Sequence, residues 1–222
     1  RKIKLNSYDD AYEADKTIEC FKKHIKEGIF AGAHFLGSPN AAKVSPLAEQ
    51  NKLPVSGFIS GAGFIYEPVK RYIFNLRASY EDATRIFVNR AWKELGYRRI
   101  AVIYQEDAFG AANLDGVKKA LKVYKAEPVA VASIPRGSID VDKALEMALA
   151  GKPETIVLGL IGPPVREIAK KLKASGVNNI LLMTTTIDPA VYDAEGTLIA
   201  QVMPPFDDNS RKSVELYQKL MK

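Results

Sequence analysis

The second half of the chain alternates short, continuously apolar segments with helical patterns. These segments are IAVIY, PVAVASI, TIVLGL and ILLM, at residues 100–104, 128–134, 155–160 and 180–183. A strand with apolar side chains on both faces belongs in the middle of a sheet that helices cover on both sides. The regular alternation of strands and helices therefore predicts an α/β fold with a mostly parallel, doubly wound sheet.

Hydrophobic periodicity and helix-stopping glycines predict the remaining elements. The predicted strands cover residues 2–5, 29–36, 53–58, 72–76, 99–104, 128–134, 155–160, 180–184 and 198–203. The predicted helices cover residues 11–26, 39–51, 80–95, 112–124, 141–150, 165–174 and 210–221. Asp9 and Asp10 are candidate caps of the first helix. At this chain length, two smaller sheets are a better prediction than one sheet that contains every strand.

The charged and apolar residues argue against two classes of partner. The net charge is +6, from 32 Lys and Arg against 26 Asp and Glu, and the bases are spread over many segments. Nucleic-acid binding favours a basic stripe with interleaved aromatic residues. No apolar run approaches the roughly 20 residues that span a bilayer. We therefore expect no nucleic-acid partner and no direct insertion into a membrane.

The few cysteine and histidine residues predict neither a disulfide nor a metal site. Cys20 is the only cysteine, and its apolar helical surroundings predict a buried, inert thiol. Cys20, His24 and His34 together do not match the usual ligand spacing of a histidine-based metal site. His34 is expected to be a core side chain of its strand. We expect no metal ion and no cofactor.

The segments that follow the strands are where a ligand is expected, because ligands of open α/β sheets bind beyond the carboxyl ends of the strands. After the second predicted strand, Gly37 allows a tight turn, Ser38 can cap a helix, and Pro39 suits the first helical position. Backbone N–H groups near Asn40 and Ala41, together with the Ser38 hydroxyl, would form a seat for an anion. The alternative is a helix cap that binds nothing.

Other strand ends carry further candidate contacts. Small residues surround Ser60 and Gly61, so that backbone could approach a ligand closely, although this loop could simply turn. Phe109 could cover an apolar ligand or pack in the core. Ile161 follows another predicted strand, and Thr185 offers a hydroxyl at the next strand end, where it could instead cap a short helix.

No catalytic motif is recognisable in the sequence. The chain has no GxSxG, HExxH or P-loop pattern. Glu106 and Asp107 fit solvated acids at the start of a helix better than a catalytic pair. Gly61 and Gly63 begin an incomplete dinucleotide motif, in which Tyr66 replaces the third glycine. We therefore expect a protein that is not an enzyme, and an enzyme on a doubly wound fold remains the alternative.

Several segments together resemble one protein family. They are Ser7-Tyr8-Asp9-Asp10 before the first helix, FLGSPNA at 35–41, RYIFNLRASY at 71–80, RIAVIYQEDAFG at 99–110 and PETIVLGLIGPP at 153–164. In their order and spacing, and over essentially its whole length, the chain resembles type I periplasmic binding proteins of the branched-chain amino-acid transport class. These proteins are also called extracellular ligand-binding receptors.

The resemblance implies two flavodoxin-like lobes, each a doubly wound parallel sheet, with a ligand in the cleft between them. The chain would cross between the lobes near residues 78–80 and again near residues 203–205. Lobe 1 would then consist of residues 1–79 and 205–222, and lobe 2 of residues 80–204.

The resemblance also implies which residues contact the ligand. Ser38 matches the serine that binds the ligand carboxylate. Ile59 and Gly61 fall in the second ligand-contacting loop, and Phe109 takes the place of an aromatic residue from the other lobe. We therefore expect the ligand to carry a carboxylate.

Two positions depart from the pattern of the amino-acid binders. Thr185 stands where those proteins have an acid that holds the ligand ammonium, with Asp188 three residues further on. Gly61 stands where they often have a hydroxyl residue. The cleft would have an apolar lining made of Phe58, Ile59, Phe64, Phe109 and Ile161. These features predict a carboxylate with an apolar body, without a requirement for an α-amino group.

The function implied by the resemblance is solute capture for ABC-type import. The lobes would close over the ligand, and a membrane permease would recognise the closed state. A ligand-sensing receptor domain, fused to a signalling module, is the alternative.

The protein would be periplasmic or extracellular, although Arg1 leads straight into the first predicted strand without a signal peptide. Because family members have a further strand and helix before the match to Arg1, and more chain after Lys222, we expect a longer protein.

Overall fold

A computed structural model describes residues 3–177, 179–185, 197–202, 204 and 207–221. Its helices are α1 (Ala14–Lys26), α2 (Ser38–Gln50), α3 (Tyr80–Asn89), α4 (Ala108–Lys122), α5 (Asp142–Ala150), α6 (Pro163–Ala174) and α7 (Lys212–Leu220). Its strands are β1 (Gly32–Ala33), β2 (Val55–Ser56), β3 (Ile73–Phe74), β4 (Ile100–Gln105), β5 (Ala130–Ile134), β6 (Thr155–Gly159), β7 (Leu181–Thr184) and β8 (Thr197–Ile199). A short 3₁₀ turn covers Gly63–Ile65.

The strands form two parallel sheets. The first sheet has the order β1-β2-β3, and the second has the order β5-β4-β6-β7-β8. Every strand pair in both sheets is parallel. The predicted parallel α/β fold with two smaller sheets is therefore confirmed.

The continuous apolar runs of the second sheet are explained by helices on both of its faces. Ile103 of β4 and Leu158 of β6 pack on one face with α5 and α6. Their neighbours Val102 and Val157 pack on the other face with α3 and α4. All residues of β6 are buried, because it lies between β4 and β7 with helices above and below.

The strands of the first sheet are shorter than predicted, with two residues each. Its core joins Phe21 of α1, Val44 of α2 and Val55 of β2 in one buried cluster with Phe58. The helices therefore contribute much of the apolar surface that holds this sheet together.

The predicted strand at residues 2–5 is wrong for the residues that the structure describes. Ile3 and Leu5 are 94% and 86% exposed, and residues 3–10 are irregular. A groove of about 590 Å³ separates this segment from β1. Among the described residues this segment pairs with neither sheet, and a strand needs a hydrogen-bonded neighbour.

Three helix ends differ from the prediction by three or more residues. Helix α1 begins at Ala14 because Ala11 and Tyr12 have positive φ angles of 51° and 61°. Asp9 and Asp10 accept hydrogen bonds from these two backbone N–H groups instead of capping the helix. Helix α4 begins four residues early, at Ala108, because the Asp107 side chain caps it. Helix α3 ends at Asn89 and continues as the π-helical turn Arg90–Glu94.

Two expectations about buried side chains are also wrong. Cys20 is only partly buried, because its position on α1 faces the open groove beside β1. His34 is exposed and has a φ angle of 57°, because β1 ends at Ala33 before it reaches this residue. Among the described residues, no helix has the length and hydropathy of a membrane span, and no group of three acids, histidines or cysteines could hold a metal ion.

Glu154 gives a test of how the second sheet depends on pH. Its carboxylate accepts hydrogen bonds from the backbone N–H groups of Arg98 at 2.6 Å and Arg99 at 2.9 Å, just before β4. These bonds lower the pKa of Glu154 below its ordinary value of 4.5. A carboxyl group with a lowered folded-state pKa stabilises the fold above its unfolded pKa, and this stabilisation is lost as the pH falls through the folded value.

We therefore expect Glu154→Gln to lower the melting temperature at pH 7, and the difference from the unaltered protein to close as the pH falls below the ordinary value of 4.5. Thermal melts followed by circular dichroism between pH 7 and pH 3 measure this difference. Glu127→Gln is the control, because Glu127 is exposed. A difference for Glu154→Gln that stays constant across this range would contradict the explanation.

Candidate functional site

The segments that follow the strands of the two sheets meet one another. Phe109, which follows β4 of the second sheet, packs in the core cluster of the first sheet. Its ring lies edge-on to Tyr80, with 5.0 Å between the ring centroids. Helices α2 and α4, which begin beyond β1 and β4, are also in contact. The carboxyl ends of the two sheets therefore form one junction, which is where ligands of such sheets bind.

Two buried serines form the polar centre of this junction on the side of the first sheet. Ser38 is the first residue of α2, and Ser60 follows β2. Their Oγ atoms lie 2.8 Å apart, and both side chains are fully buried. Ser60 Oγ also accepts a hydrogen bond from the Ala62 N–H at 3.2 Å. Whichever serine donates to the other, the pair keeps one hydroxyl hydrogen for another acceptor, such as a carboxylate oxygen.

The predicted seat of backbone N–H groups is wrong in one part. The Ala41 N–H donates to the Gly37 carbonyl oxygen at 2.9 Å, so the first turn of α2 already uses it. The Asn40 side chain is buried and donates to Asp10 Oδ2 at 3.1 Å. Helix α2 begins one residue earlier than predicted, with Gly37 at the N-cap, so Ser38 is the first helical residue instead of the cap and Pro39 is the second. Asn40 thus holds the segment before α1 against the start of α2.

The loop after β2 has one core residue and one exposed residue. Phe58 is 1% exposed, and its ring lies 5.9 Å from that of Phe35. Ile59 is 42% exposed, so it is the apolar side chain of this loop that a ligand could reach. Phe58 is buried and Ile59 exposed because successive side chains of an extended backbone point to opposite faces.

Gly61 is explained by a close backbone approach. A Cβ atom at this position would lie 2.8 Å from both the Ala78 carbonyl oxygen and the Tyr80 nitrogen. The Tyr80 N–H also donates to the Gly61 carbonyl oxygen at 2.7 Å. Because a hydroxyl side chain would not fit here, the glycine joins the loop of the first sheet to the start of α3.

The second sheet contributes side chains that are already engaged with the protein. The Thr185 hydroxyl is buried and lies 2.7 Å from Asn113 Oδ1. Asn113 Nδ2 in turn donates to the Phe109 carbonyl oxygen at 2.9 Å. The Ile161 N–H donates to Gln105 Oε1 at 3.1 Å, and the Ile161 side chain is half-buried. Asp188 lies outside the described residues.

A cavity of about 100 Å³ opens beside these residues at the ends of β4, β5 and β6. Its lining is mostly apolar and includes Ile134, Leu160, Ile161, Pro163 and Pro164. The groove of about 590 Å³ beside β1 is larger, but none of the predicted site residues lines it. The smaller cavity could hold an apolar group beside Ile161, the predicted site residue in its lining.

Sequence reasoning missed two residues of the junction. Arg136 follows β5, and its guanidinium carbon lies 4.5 Å from the centre of the Tyr12 ring. Its Nη2 donates to the Tyr12 carbonyl oxygen. Arg136 could have been flagged, because a cation after the carboxyl end of a strand is a candidate ligand contact. Tyr12 carried no such signal.

Comparison with known proteins gives a family model and many similar structures. The model of the family described as periplasmic binding protein matches residues 1–217. A possible leucine/isoleucine/valine-binding protein from Rhodopirellula baltica SH 1 superposes with a TM-score of 0.89 at 22% identity, over 98% of this chain and 62% of its own. A substrate-binding periplasmic protein from Ralstonia solanacearum superposes with a TM-score of 0.83 at 24% identity, over 95% of this chain and 62% of its own.

A third similar structure has a ligand. It is a branched chain amino acid ABC transporter protein from Thermus thermophilus with bound valine, with a TM-score of 0.81 at 20% identity, over 96% of this chain and 57% of its own. At these identities the likeness establishes the fold. The chain spans less than two thirds of the length of these proteins. No curated protein matches the chain.

Proposed function

The chain belongs to the periplasmic binding protein family, and from this premise we propose that it captures a small carboxylate-bearing molecule for import by an ABC-type permease. The observation that carries the proposal is the buried Ser38–Ser60 hydroxyl pair, with its Oγ atoms 2.8 Å apart where the two sheets meet. One hydroxyl hydrogen of this pair is available to an oxygen acceptor. We propose binding without catalysis, and export of the protein to the periplasm or the cell exterior.

Two lobes on either side of this junction form the binding cleft in our proposal. Lobe 1 consists of residues 1–79 and 205–222, and lobe 2 of residues 80–204. The separation of β1–β3 and β4–β8 into different sheets supports this division. The bond between Tyr80 and Gly61 supports a crossing near residues 78–80. The second crossing, near residues 203–205, falls mostly outside the described residues.

The ligand carries an apolar body and needs no α-amino group in this proposal. Ile59 is exposed beside the serine pair, and the half-buried Ile161 adds apolar surface from the second sheet. The Thr185 hydroxyl, engaged by Asn113, offers no negative charge for an ammonium group. Among other proteins with this fold, one holds 3,4-dihydroxy benzoic acid and one holds 4-hydroxybenzoate, and neither molecule has an amino group.

Cleft closure is the proposed link between binding and transport. A ligand shifts the balance between an open and a closed form only by as much as it prefers one of them. A molecule that contacts Ser38 on one side and Phe109 or Ile161 on the other makes its full set of contacts in the closed form. The closed form is then the one that a permease recognises.

Thermal denaturation of the complete protein tests this function. We expect at least one carboxylate from a panel of valine, octanoate and 4-hydroxybenzoate to raise the melting temperature. At a ligand concentration of a hundred times Kd, binding adds about 2.7 kcal/mol to the free energy of unfolding. We expect Ser38→Ala to weaken this binding about 10- to 100-fold, because it removes a hydrogen bond to a charged group. Octanoate and 4-hydroxybenzoate test the absence of a requirement for an amino group.

Ser45→Ala is the matched control, because Ser45 lies on the same helix and is also buried, and its Oγ has no hydrogen-bond partner among the described residues. Equal binding by the Ser38 and Ser45 variants would argue against the serine seat. Binding of valine without any binding of the two acids would show that an α-amino group is required after all.

A further inference from the structure

Arg136 brings a positive charge to the junction from the side of the second sheet. It follows β5, and its side chain is 27% exposed. The guanidinium lies over the Tyr12 ring, which belongs to the segment before α1 on the side of the first sheet. Arg136 therefore spans the place where the ends of the two sheets meet.

The charge of Arg136 is not closely neutralised by the described residues. Its Nε lies 3.9 Å from Asp107 Oδ2, and its Nη2 lies 3.9 Å from Glu13 Oε1, both at the outer limit of an ion pair. Asp107 already accepts hydrogen bonds from the N–H groups of Phe109 and Gly110 as the cap of α4. Arg136 Nε and Nη1 form no hydrogen bonds with the described residues. The guanidinium therefore keeps donors for a further acceptor.

Tyr12 lies directly against the serine seat. A Cβ atom on Gly37, the residue before Ser38, would lie 2.8 Å from Tyr12 Cζ and 2.9 Å from its hydroxyl oxygen. That hydroxyl oxygen is buried and has no hydrogen-bond partner among the described residues. Burial is the main cause that raises the pKa of Tyr12, and the negative charge of Asp107 raises it further. The hydroxyl therefore keeps its proton and can donate a hydrogen bond.

The segment that carries Tyr12 is held in a costly conformation. Ala11 and Tyr12 are consecutive non-glycine residues with positive φ angles of 51° and 61°, a conformation that non-glycine residues adopt rarely and at a cost in energy. The Asp10 carboxylate holds it by accepting hydrogen bonds from the Tyr12 N–H at 2.9 Å and from Asn40 Nδ2 at 3.1 Å. Such strain concentrates at ligand sites, and here it fixes an unpaired hydroxyl beside Ser38.

We infer that Arg136 and Tyr12 are ligand-binding residues that contact the same carboxylate as Ser38, so that one anionic group joins the two lobes. This inference rests on the proposed function. Serine hydroxyls alone provide no positive charge, whereas a guanidinium forms charge-assisted hydrogen bonds to a carboxylate. The carboxylate itself would then favour closure, because Ser38 and Arg136 approach it from different sheets.

Calorimetric titration of the complete protein with paired probes tests the inference. The probes are valine, octanoate and 4-hydroxybenzoate, each compared with its primary amide, which has nearly the same shape but lacks the negative charge of the carboxylate. We expect Arg136→Ala to weaken binding of the acid about 10- to 100-fold and to leave binding of the amide nearly unchanged. Tyr12→Phe removes only the hydroxyl and should weaken acid binding about 3- to 10-fold. Arg136→Lys, which keeps the charge, should recover part of the loss.

Arg85→Ala is the matched control, because Arg85 is 56% exposed on α3 and pairs with Asp82 at 3.1 Å. We expect its acid binding to stay within about twofold of the unaltered protein. This inference alone would be overturned if Ser38→Ala weakened acid binding while Arg136→Ala and Tyr12→Phe both left it unchanged or made it tighter. Failure of the unaltered protein to bind any of the acids would overturn the proposed function and this inference together.

Discussion

Replacing Gly110 by alanine is expected to lower the free energy of unfolding by about 3 kcal/mol, the upper end of the usual cost of overpacking. The added Cβ would lie 2.7 Å from the backbone nitrogen and 2.9 Å from the carbonyl carbon of Gln105, and closer still to its oxygen. These atoms belong to β4 in the interior of the second sheet, so they cannot move aside as a flexible side chain could. Helix propensity alone predicts the opposite sign, because alanine is favoured over glycine by about 1 kcal/mol inside a helix.

Urea denaturation followed by tryptophan fluorescence and circular dichroism measures the Gly110→Ala effect. Gly63→Ala is the control, since nothing lies within 4 Å of the Cβ that it would add. We expect its free energy of unfolding to stay within about 0.5 kcal/mol of the unaltered protein. A stability of Gly110→Ala equal to that of Gly63→Ala would mean that α4 does not pack against Gln105 as described.

Replacing Phe109 by alanine is expected to remove about 3–5 kcal/mol from the free energy of unfolding. The side chain is 3% exposed and fills the contact between α4 and the core of the first sheet. It also stands edge-on to Tyr80, and a pair of this geometry adds about 0.5–1.5 kcal/mol beyond buried area. Its loss leaves a cavity at the junction of the two sheets.

Phe109→Leu separates the loss of the ring from the loss of volume. Leucine fills much of the same space, so we expect it to cost less than about 1.5 kcal/mol in the same urea experiment. Similar costs for the alanine and leucine variants would show that Phe109 does not bridge the two sheets through packing.

The second sheet could be predicted closely from the sequence, and the first could not. Strand β6 starts at Thr155, as predicted, and ends one residue early at Gly159, because a continuous apolar run between helices leaves little choice. In the first sheet, predicted strands of five to eight residues contain only two-residue strands. The extent of a strand depends on its hydrogen-bonded neighbours, which a local pattern does not reveal.

In the candidate site, too, some residues could be predicted from the sequence and others could not. Ser38 and Ser60 could be found because each follows a predicted strand, and the structure brings their Oγ atoms within 2.8 Å. Whether Phe58 or Ile59 faces the core depends on the register of the chain after β2, which the sequence does not state. Tyr12 was missed because its position depends on two consecutive positive φ angles and on the approach of Arg136 from another sheet.

The claim that two lobes close over a carboxylate is tested most directly by a distance measured across the cleft. Cys20 is the only cysteine, so a Cys20→Ser background allows two dyes to be attached at Lys43→Cys on α2 and Lys143→Cys on α5, both exposed positions. Energy transfer between the dyes is then followed as the acid identified by the thermal screen is titrated into the complete protein. We predict that the distance shortens with the same midpoint concentration as the calorimetric signal, and that the primary amide and the Ser38→Ala background shift this midpoint to higher concentration. A distance that stays unchanged while the acid saturates the protein would contradict binding by closure of the two lobes.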